Sequence, residues 1–456
     1  MMNIIWVVSD TLRRDAVGVY GNDKIHTPSI DALAAKSVRF DKFYIGSFPT
    51  MPTRADHMTG RWTVSFMSWG PLPKGIVTLP EILRNNRINT AAIVDTPFYL
   101  RNEMNYDRGY ITFEEIPGQL WRARGGDPHH RRQLSGKPSG RMDVDCFAPQ
   151  TFSRAMQWLE LNYREDFFLY IDTWDPHEPW NAPNYYTELY MPDFDGEPVR
   201  ALYGYWPQAE GFTEETIKKA YATYCGEVTM VDTWFGYLMR KVENLGLMDK
   251  TVIIFTSDHG YYFGEHGGLY GKMVFTMNSP EKIGTWGRSP YYEEVTRIPL
   301  LIYMPGIPMG SYDGMTSAID LMPTVMDIMG QEIPPDVEGR SLVPMMKDPG
   351  LPGYEHIFSS SSFVNAGGTD NSVDSVMRYT EHDSMATVTT EDWTLLYDTA
   401  PGGSELYNLK SDPKQEKNII TGHEDIAREL HQLLVKHLRD THLAQDKLEP
   451  RLELRL

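Results

Sequence analysis

The sequence predicts an α/β fold: one large, mostly parallel sheet between helix layers, followed by a smaller α+β unit at the C-terminus. Three observations carry this expectation. Apolar runs at residues 3–8, 89–94, 167–171, 251–255 and 299–303 each end in polar residues, the pattern of parallel strands buried on both faces. Helical stretches at 29–36, 151–162 and 214–245 separate most of them, and alternation of strand and helix builds a parallel sheet. After about Gly339 the texture changes to short strand-like pieces joined by polar turns.

Taken in order, Asn3-Ile4-Ile5-Trp6-Val7-Val8 has neither a basic region before it nor a small-residue cleavage site after it. It reads as the first buried strand and not as a signal peptide. Thr27-Pro28 opens the first helix, with Thr as cap and Pro in the first turn. Residues 117–141, rich in Gly, Pro and cations, and the polar segment 273–290 read as insertions. Each is a solvated loop or part of the rim of an anion-binding cleft. Near the end, 393–397 and 405–408 read as strands, and Ile426, Leu430, Leu433, Leu434 and Leu438 form one stripe of an amphipathic helix. The expected division is a catalytic α/β domain over 1–354, a small α+β domain over 355–444 and a tail over 445–456. Leu452, Leu454 and Leu456 alternate with charge in that tail, which suits an arm reaching a neighbouring subunit of a homo-oligomer.

Composition narrows the class. A chain of 456 residues with 11 Trp, 26 Tyr and 18 Phe can bury a sufficient core without disulfides or structural metals. Its 43 Lys+Arg against 62 Asp+Glu give a net charge of −19, which disfavours nucleic acid and anionic membrane as partners. No apolar stretch has the length of a membrane span. Cys146 and Cys225 are too few for a disulfide framework, so a cytoplasmic location is expected.

Two strands end in groups that bear chemistry. Residues 3–8 run into Ser9-Asp10, and residues 251–255 run towards Ser257-Asp258-His259-Gly260. In an open α/β sheet, ligands lie beyond the carboxyl ends of the strands, so Asp10, Asp258 and His259 can converge although far apart in sequence. Two carboxylates and an imidazole suit a hard or borderline divalent ion. Thr50-Met51-Pro52-Thr53-Arg54 then reads as the start of a short helix that ends at Gly60. A hydroxyl there faces free amide donors and the positive end of the helix dipole, where a phosphoryl or sulfuryl group would be held. Arg54, one turn on, can offer a planar cation to the same group.

These segments resemble the sulfatase and phosphonate monoester hydrolase families of the alkaline phosphatase superfamily. The family signature is Cys or Ser, any residue, Pro, any residue, Arg, then Thr-Gly; here it reads Thr50-Met51-Pro52-Thr53-Arg54 and Thr59-Gly60. Asp175-Pro176-His177-Glu178-Pro179-Trp180, Gly264-Glu265-His266-Gly267, Gly271-Lys272, Asp320-Leu321-Met322-Pro323-Thr324 and Glu405-Leu406-Tyr407-Asn408 continue the likeness in order along the chain. The resemblance implies an alkaline phosphatase-like fold and hydrolysis of a small anionic ester. It implies that one divalent metal is held by Asp10, Asp258, His259 and Thr50. Arg54, His177 and Lys272 would contact the transferred group or the leaving oxygen, with His177 as general acid.

Three departures turn the expectation from sulfate towards phosphorus. Sulfatases mature Cys or Ser into formylglycine; Thr50 is neither, so no formylglycine is expected and Thr50 would act as a metal-activated alkoxide. The paired aspartates of many sulfatases are here Asp10-Thr11, and the lower negative charge suits Mn²⁺ or Zn²⁺ better than Ca²⁺. The usual Gly-Lys-Trp-His segment is replaced by Val94-Asp95-Thr96-Pro97-Phe98-Tyr99-Leu100-Arg101; Thr11, Tyr99 and Arg101 are candidates to bind substrate in place of the lost Lys. The reading is a hydrolase of phosphate diesters or phosphonate monoesters working through a phosphothreonine. A sulfatase, a phosphomonoesterase and a silent binding protein are the alternatives.

Overall fold

The computed structural model describes residues 2–67, 69–96, 99–100, 103–116, 142–197, 199, 201–275, 286–288, 290–361, 363 and 385–456. All of segment 117–141 and most of 273–290 lie outside them. The centre is an eight-stranded sheet. Its strands are β1 (Asn3–Ser9), β2 (Val38–Tyr44), β4 (Asn89–Val94), β5 (Thr112–Glu115), β6 (Phe167–Thr173), β7 (Thr251–Ser257), β8 (Leu300–Tyr303) and β9 (Gly310–Ser317). Their order across the sheet is β9-β2-β8-β7-β1-β6-β4-β5.

β1 occupies the middle and pairs in parallel with both β6 and β7. Its alternation explains the continuous apolar run: Ile4, Trp6 and Val8 enter one core, while Ile5 and Val7 enter another on the opposite face. Both faces are buried, as period-2 geometry requires of a strand between two layers. Helices α1 (Pro28–Ala34), α3 (Phe147–Asn162) and α4 (Glu214–Asn244) cover one face. Helix α2 (Thr50–Thr59) and a further helix over Leu321–Ile328 contribute to the other.

β8 departs from the parallel reading of 299–303. It runs antiparallel to both β7 and β2. The chain leaves β7 at its carboxyl end, builds the loop carrying Asp258 and His259, and comes back at that same end, where the Gly260 amide donates to the Val295 carbonyl at 3.0 Å. No crossover returns it to the far side of the sheet, so the next strand must run backwards.

A second sheet of five strands combines β3 (Ser47–Phe48) with β10 (His356–Ser361), β11 (Ala386–Thr390), β12 (Trp393–Tyr397) and β13 (Glu405–Asn408). β3 lies just before the helix of Thr50 and pairs in parallel with β10, so the C-terminal sheet borrows an edge strand from the first part of the chain. Helix α5 (Glu424–Asp440) packs Leu430, Leu434 and Leu438 against this sheet. The tail folds back on its own domain, with Leu452 and Leu456 left exposed. Leu448 and Arg451 are buried, the Arg451 carbonyl meets His431 Nε2 at 2.9 Å, and Tyr397 donates to the Glu453 carbonyl. The physical reason is an open edge of apolar surface under the small sheet, which Leu443, Leu448 and Leu454 help to close.

Candidate active site

The carboxyl ends of β1, β6 and β7 bring three acids into one buried cluster. Asp10 follows β1, Asp258 follows β7, and Asp172 lies in β6 paired with Val8. The β1 end is tightly specified. Thr11 takes a left-handed conformation, φ 62°, which a β-branched residue adopts only when its surroundings enforce it. Its amide donates to Asp258 Oδ1 at 2.9 Å, its hydroxyl donates to Asp10 Oδ1 at 2.7 Å, and its carbonyl accepts from Tyr224. Thr11 was a candidate for substrate binding. Its side chain instead serves the carboxylate of Asp10, because the turn points it into the protein.

Asp10, Asp258 and His259 each offer one ligand atom, and these atoms lie within 4.8 Å of one another, all in buried residues. His259 Nδ1 meets the Gly260 carbonyl at 3.0 Å, which leaves the Nε2 lone pair aimed into the cluster, the arrangement a metal-ligating histidine needs. Burial holds the His259 pKa down at about 3, so the ring is a free base. Burial and the charge of Asp258 raise Asp10 well above the ordinary carboxylate range. Burial pushes Asp258 up as well, but His259 and Arg54 outweigh it and hold that group below its ordinary value. A donor set of two carboxylates and one imidazole fits a hard or borderline divalent cation.

Thr50 begins α2, and its Oγ1 stands 3.4 Å from His259 Nε2. Gly60 ends the helix with φ 64°. Asp56 fastens it by accepting from the amides and hydroxyls of Ser47 and Thr63. The site helix is thereby tied to β3 and to the turn that follows α2.

Arg54 is placed differently from the sequence expectation. Nε and Nη2 donate to the two oxygens of Asp172 at 2.7 and 2.8 Å, Nη1 donates to Asp258 Oδ2 and the Thr50 carbonyl, and Nη2 also donates to Asp10 Oδ2 at 3.0 Å. A guanidinium has five N–H donors, and all are committed to these acceptors. Arg54 therefore neutralises the acidic cluster and does not face a bound ester.

His177 and Lys272 form the opposite wall. Lys272 Nζ lies 2.7 Å from His177 Nε2 and 3.5 Å from His259 Nε2. His177 Nδ1 meets the Glu178 carbonyl at 2.7 Å, so its hydrogen points there and Nε2 accepts from the ammonium. Burial, and then Lys272, lower the His177 pKa well below its ordinary value. Trp174 packs against the ring at a tilt of 33°, with centroids 3.9 Å apart. His177 at rest is thus a neutral acceptor that faces the Lys272 amino group.

Tyr99 is fully buried, and its hydroxyl donates to Asp172 Oδ2 at 2.5 Å. Arg101 lies outside the described residues. Asp172 itself was missed. The signal was available: it directly follows an apolar strand run, as Asp10 and Asp258 follow theirs after one and two residues.

The chain is similar to known proteins along most of its length. The family model described as sulfatase matches residues 2–331, and one described as N-sulphoglucosamine sulphohydrolase, C-terminal, matches residues 283–441. An arylsulfatase of Clostridium perfringens is 24% identical, with 96% of this chain and 94% of that protein covered. A multifunctional alkaline phosphatase superfamily protein of Trinickia caryophylli is 26% identical, with 91% of each chain covered. Among solved structures, the phosphonate monoester hydrolase of Agrobacterium radiobacter superposes with a TM-score of 0.75 at 21% identity, covering 97% of this chain and 96% of that one. The expected α/β architecture is the one this superposition finds.

Proposed function

The chain belongs to the sulfatase family of ester hydrolases, within the alkaline phosphatase superfamily, and from that premise we propose that it hydrolyses phosphate diesters or phosphonate monoesters with Thr50 as nucleophile. The observation that carries the reading is Thr50 Oγ1, set at the start of a helix and 3.4 Å from His259 Nε2, at a position where the family's formylglycine chemistry requires Cys or Ser. A threonine cannot become an aldehyde hydrate that expels sulfate. It can form an ester with phosphorus, which water then cleaves.

Asp10, Asp258 and His259, with the Thr50 hydroxyl beside them, would hold one divalent ion, for which Mn²⁺ or Zn²⁺ suits the donors better than Ca²⁺. Such an ion lowers the pKa of a neighbouring hydroxyl and offsets charge on the transferring group. The remaining work falls to the protein. Thr50 Oγ, its proton released to solvent, attacks phosphorus as the bond to the leaving oxygen breaks opposite it. The amides at the start of α2 and the Lys272 ammonium face the oxygens where negative charge builds. The leaving oxygen takes its proton from the Lys272–His177 pair, which shares one across the 2.7 Å contact. In the second step water gives one proton back to the Lys272–His177 pair as it adds to phosphorus, and the bond to Thr50 Oγ breaks, which returns the deprotonated threonine. With Arg54 engaged by carboxylates, Lys272 is the cationic side chain left to face substrate among the described site residues. One such cation favours a mono-anionic ester over a dianionic one.

The sulfatase relatives favour a second reading, hydrolysis of sulfate esters. A turnover panel separates the two: bis-p-nitrophenyl phosphate, a p-nitrophenyl phenylphosphonate and p-nitrophenyl sulfate, each with wild type and Thr50→Ala. Diester or phosphonate turnover that disappears in Thr50→Ala is expected. Sulfate turnover as the dominant activity would overturn the proposal.

A further inference from the structure

We propose that Asp172 is a positioning residue of the metal site, which orients Arg54 and balances its charge so that Asp10 and Asp258 keep theirs for the cation. The inference rests on the metal-site reading above. Arg54 and the carboxylates of Asp10, Asp172 and Asp258 have no solvent-exposed side-chain surface. A buried guanidinium must be neutralised by partners at hand, since removing it from water is costly. Asp172 takes two of its donors in a forked pair at 2.7 and 2.8 Å, the geometry that gives such pairs strength and direction. The fork fixes the guanidinium plane, and with it the one Nη1–H aimed at Asp258 and the one Nη2–H aimed at Asp10.

Asp172 is itself held by three hydroxyls. Thr96 donates to Oδ1 at 2.9 Å, while Tyr99 and Tyr170 donate to Oδ2 at 2.5 and 3.2 Å. Asp172 is also outside the group of ligand atoms that can meet one ion. Its charge therefore acts through Arg54. Three carboxylates against one guanidinium leave a net deficit that a divalent cation neutralises. Without the Asp172 carboxylate, Asp10 and Asp258 would have to compensate Arg54 alone and would have less charge to offer a metal.

The experiment is calorimetric titration of metal-free, full-length protein with Mn²⁺. Four proteins are compared: wild type, Asp172→Asn, Tyr99→Phe, and the double variant Asp172→Asn/Arg54→Gln. Asp172→Asn is expected to weaken Mn²⁺ binding about 10- to 100-fold, the range for residues that support metal ligands. The double variant removes one negative and one positive charge, and is expected to recover most of the lost affinity. Tyr99→Phe, which leaves the charge in place and removes one donor, is expected to weaken binding by less than Asp172→Asn. It also gives a reading if circular dichroism shows that Asp172→Asn does not fold. Unchanged Mn²⁺ affinity in Asp172→Asn, or in Tyr99→Phe where that variant alone folds, would overturn the role of Asp172. A double variant weaker than the single would do the same, since it would make Asp172 a packing element only. Wild type that binds no Mn²⁺ would overturn the metal-site reading as well.

Discussion

Replacing Gly260 by alanine tests how closely the loop after β7 is specified. Gly260 follows His259, whose Nδ1 meets the Gly260 carbonyl at 3.0 Å, and its amide donates to the Val295 carbonyl at 3.0 Å. A Cβ built on Gly260 would lie 1.8 Å from the Glu294 carbonyl oxygen. That neighbour is backbone and cannot rotate away. Reaching the 3.4 Å of ordinary contact needs the loop to retreat by about 1.6 Å, and a misplacement of about 1 Å at reacting groups costs on the order of 100-fold in rate. Most of this displacement must appear at His259 and Asp258. Gly260→Ala should therefore lower turnover of bis-p-nitrophenyl phosphate at least about 100-fold and weaken Mn²⁺ binding about 10- to 100-fold. Stability should fall by only about 1–3 kcal/mol, the usual cost of overpacking. Steady-state kinetics, calorimetric metal titration and urea unfolding give the three quantities. Wild-type turnover and metal affinity in Gly260→Ala would show that the loop yields without moving the ligands, and the reasoning would be wrong.

Three further outcomes follow from the same geometry. Arg54→Met leaves three buried carboxylates without their cation, so urea unfolding in excess chelator should show a loss of about 3–5 kcal/mol, part of it recovered on adding Mn²⁺. His57 is fully buried, has no hydrogen-bond partner on either ring nitrogen among the described residues, and is held at a pKa of about 3 by burial and then by Arg54. The unfolded chain, with its ordinary value of 6.5, takes up this proton first as pH falls, so His57 costs stability below about pH 6.5. Accordingly His57→Leu should match wild type at pH 8 and gain on it by up to about 1.4 kcal/mol for each pH unit below 6.5; equal urea midpoint differences at pH 8 and pH 5 would contradict this. Lys272→Met removes the proton carried to His177 and should lower kcat/KM about 10²- to 10⁴-fold for esters of weakly acidic alcohols. The loss should be smaller for p-nitrophenol, a leaving group that needs no proton, and an equal loss for both would refute the role in leaving-group protonation.

The sequence by itself determined the parallel core of the sheet, because residues buried on both faces of a strand must be apolar in succession, as in Ile4, Ile5, Trp6, Val7 and Val8. It also brought Asp10 together with Asp258 and His259, since parallel strands place their carboxyl ends on one side. The start of α2 at Thr50 and its end at Gly60 could be read from local turn chemistry. Direction and partnership were decided only in three dimensions. Whether 300–303 runs with or against its neighbours depends on the end from which the chain re-enters the sheet, and no residue in the strand records that. The tail's leucines are equally compatible with a neighbouring subunit and with the chain's own small sheet; packing beside Tyr397 and His431 takes Leu448 and Leu454 and leaves Leu452 and Leu456 exposed. Arg54 could be located on its helix, but not aimed. A guanidinium one turn after Thr50 can face a ligand or the protein, and Asp172, held by Tyr99, Tyr170 and Thr96, turned it inward. Spacing along the chain fixes which side chains share an end of the sheet. Which of them answers another's charge is set by distances of a few ångströms that only packing determines.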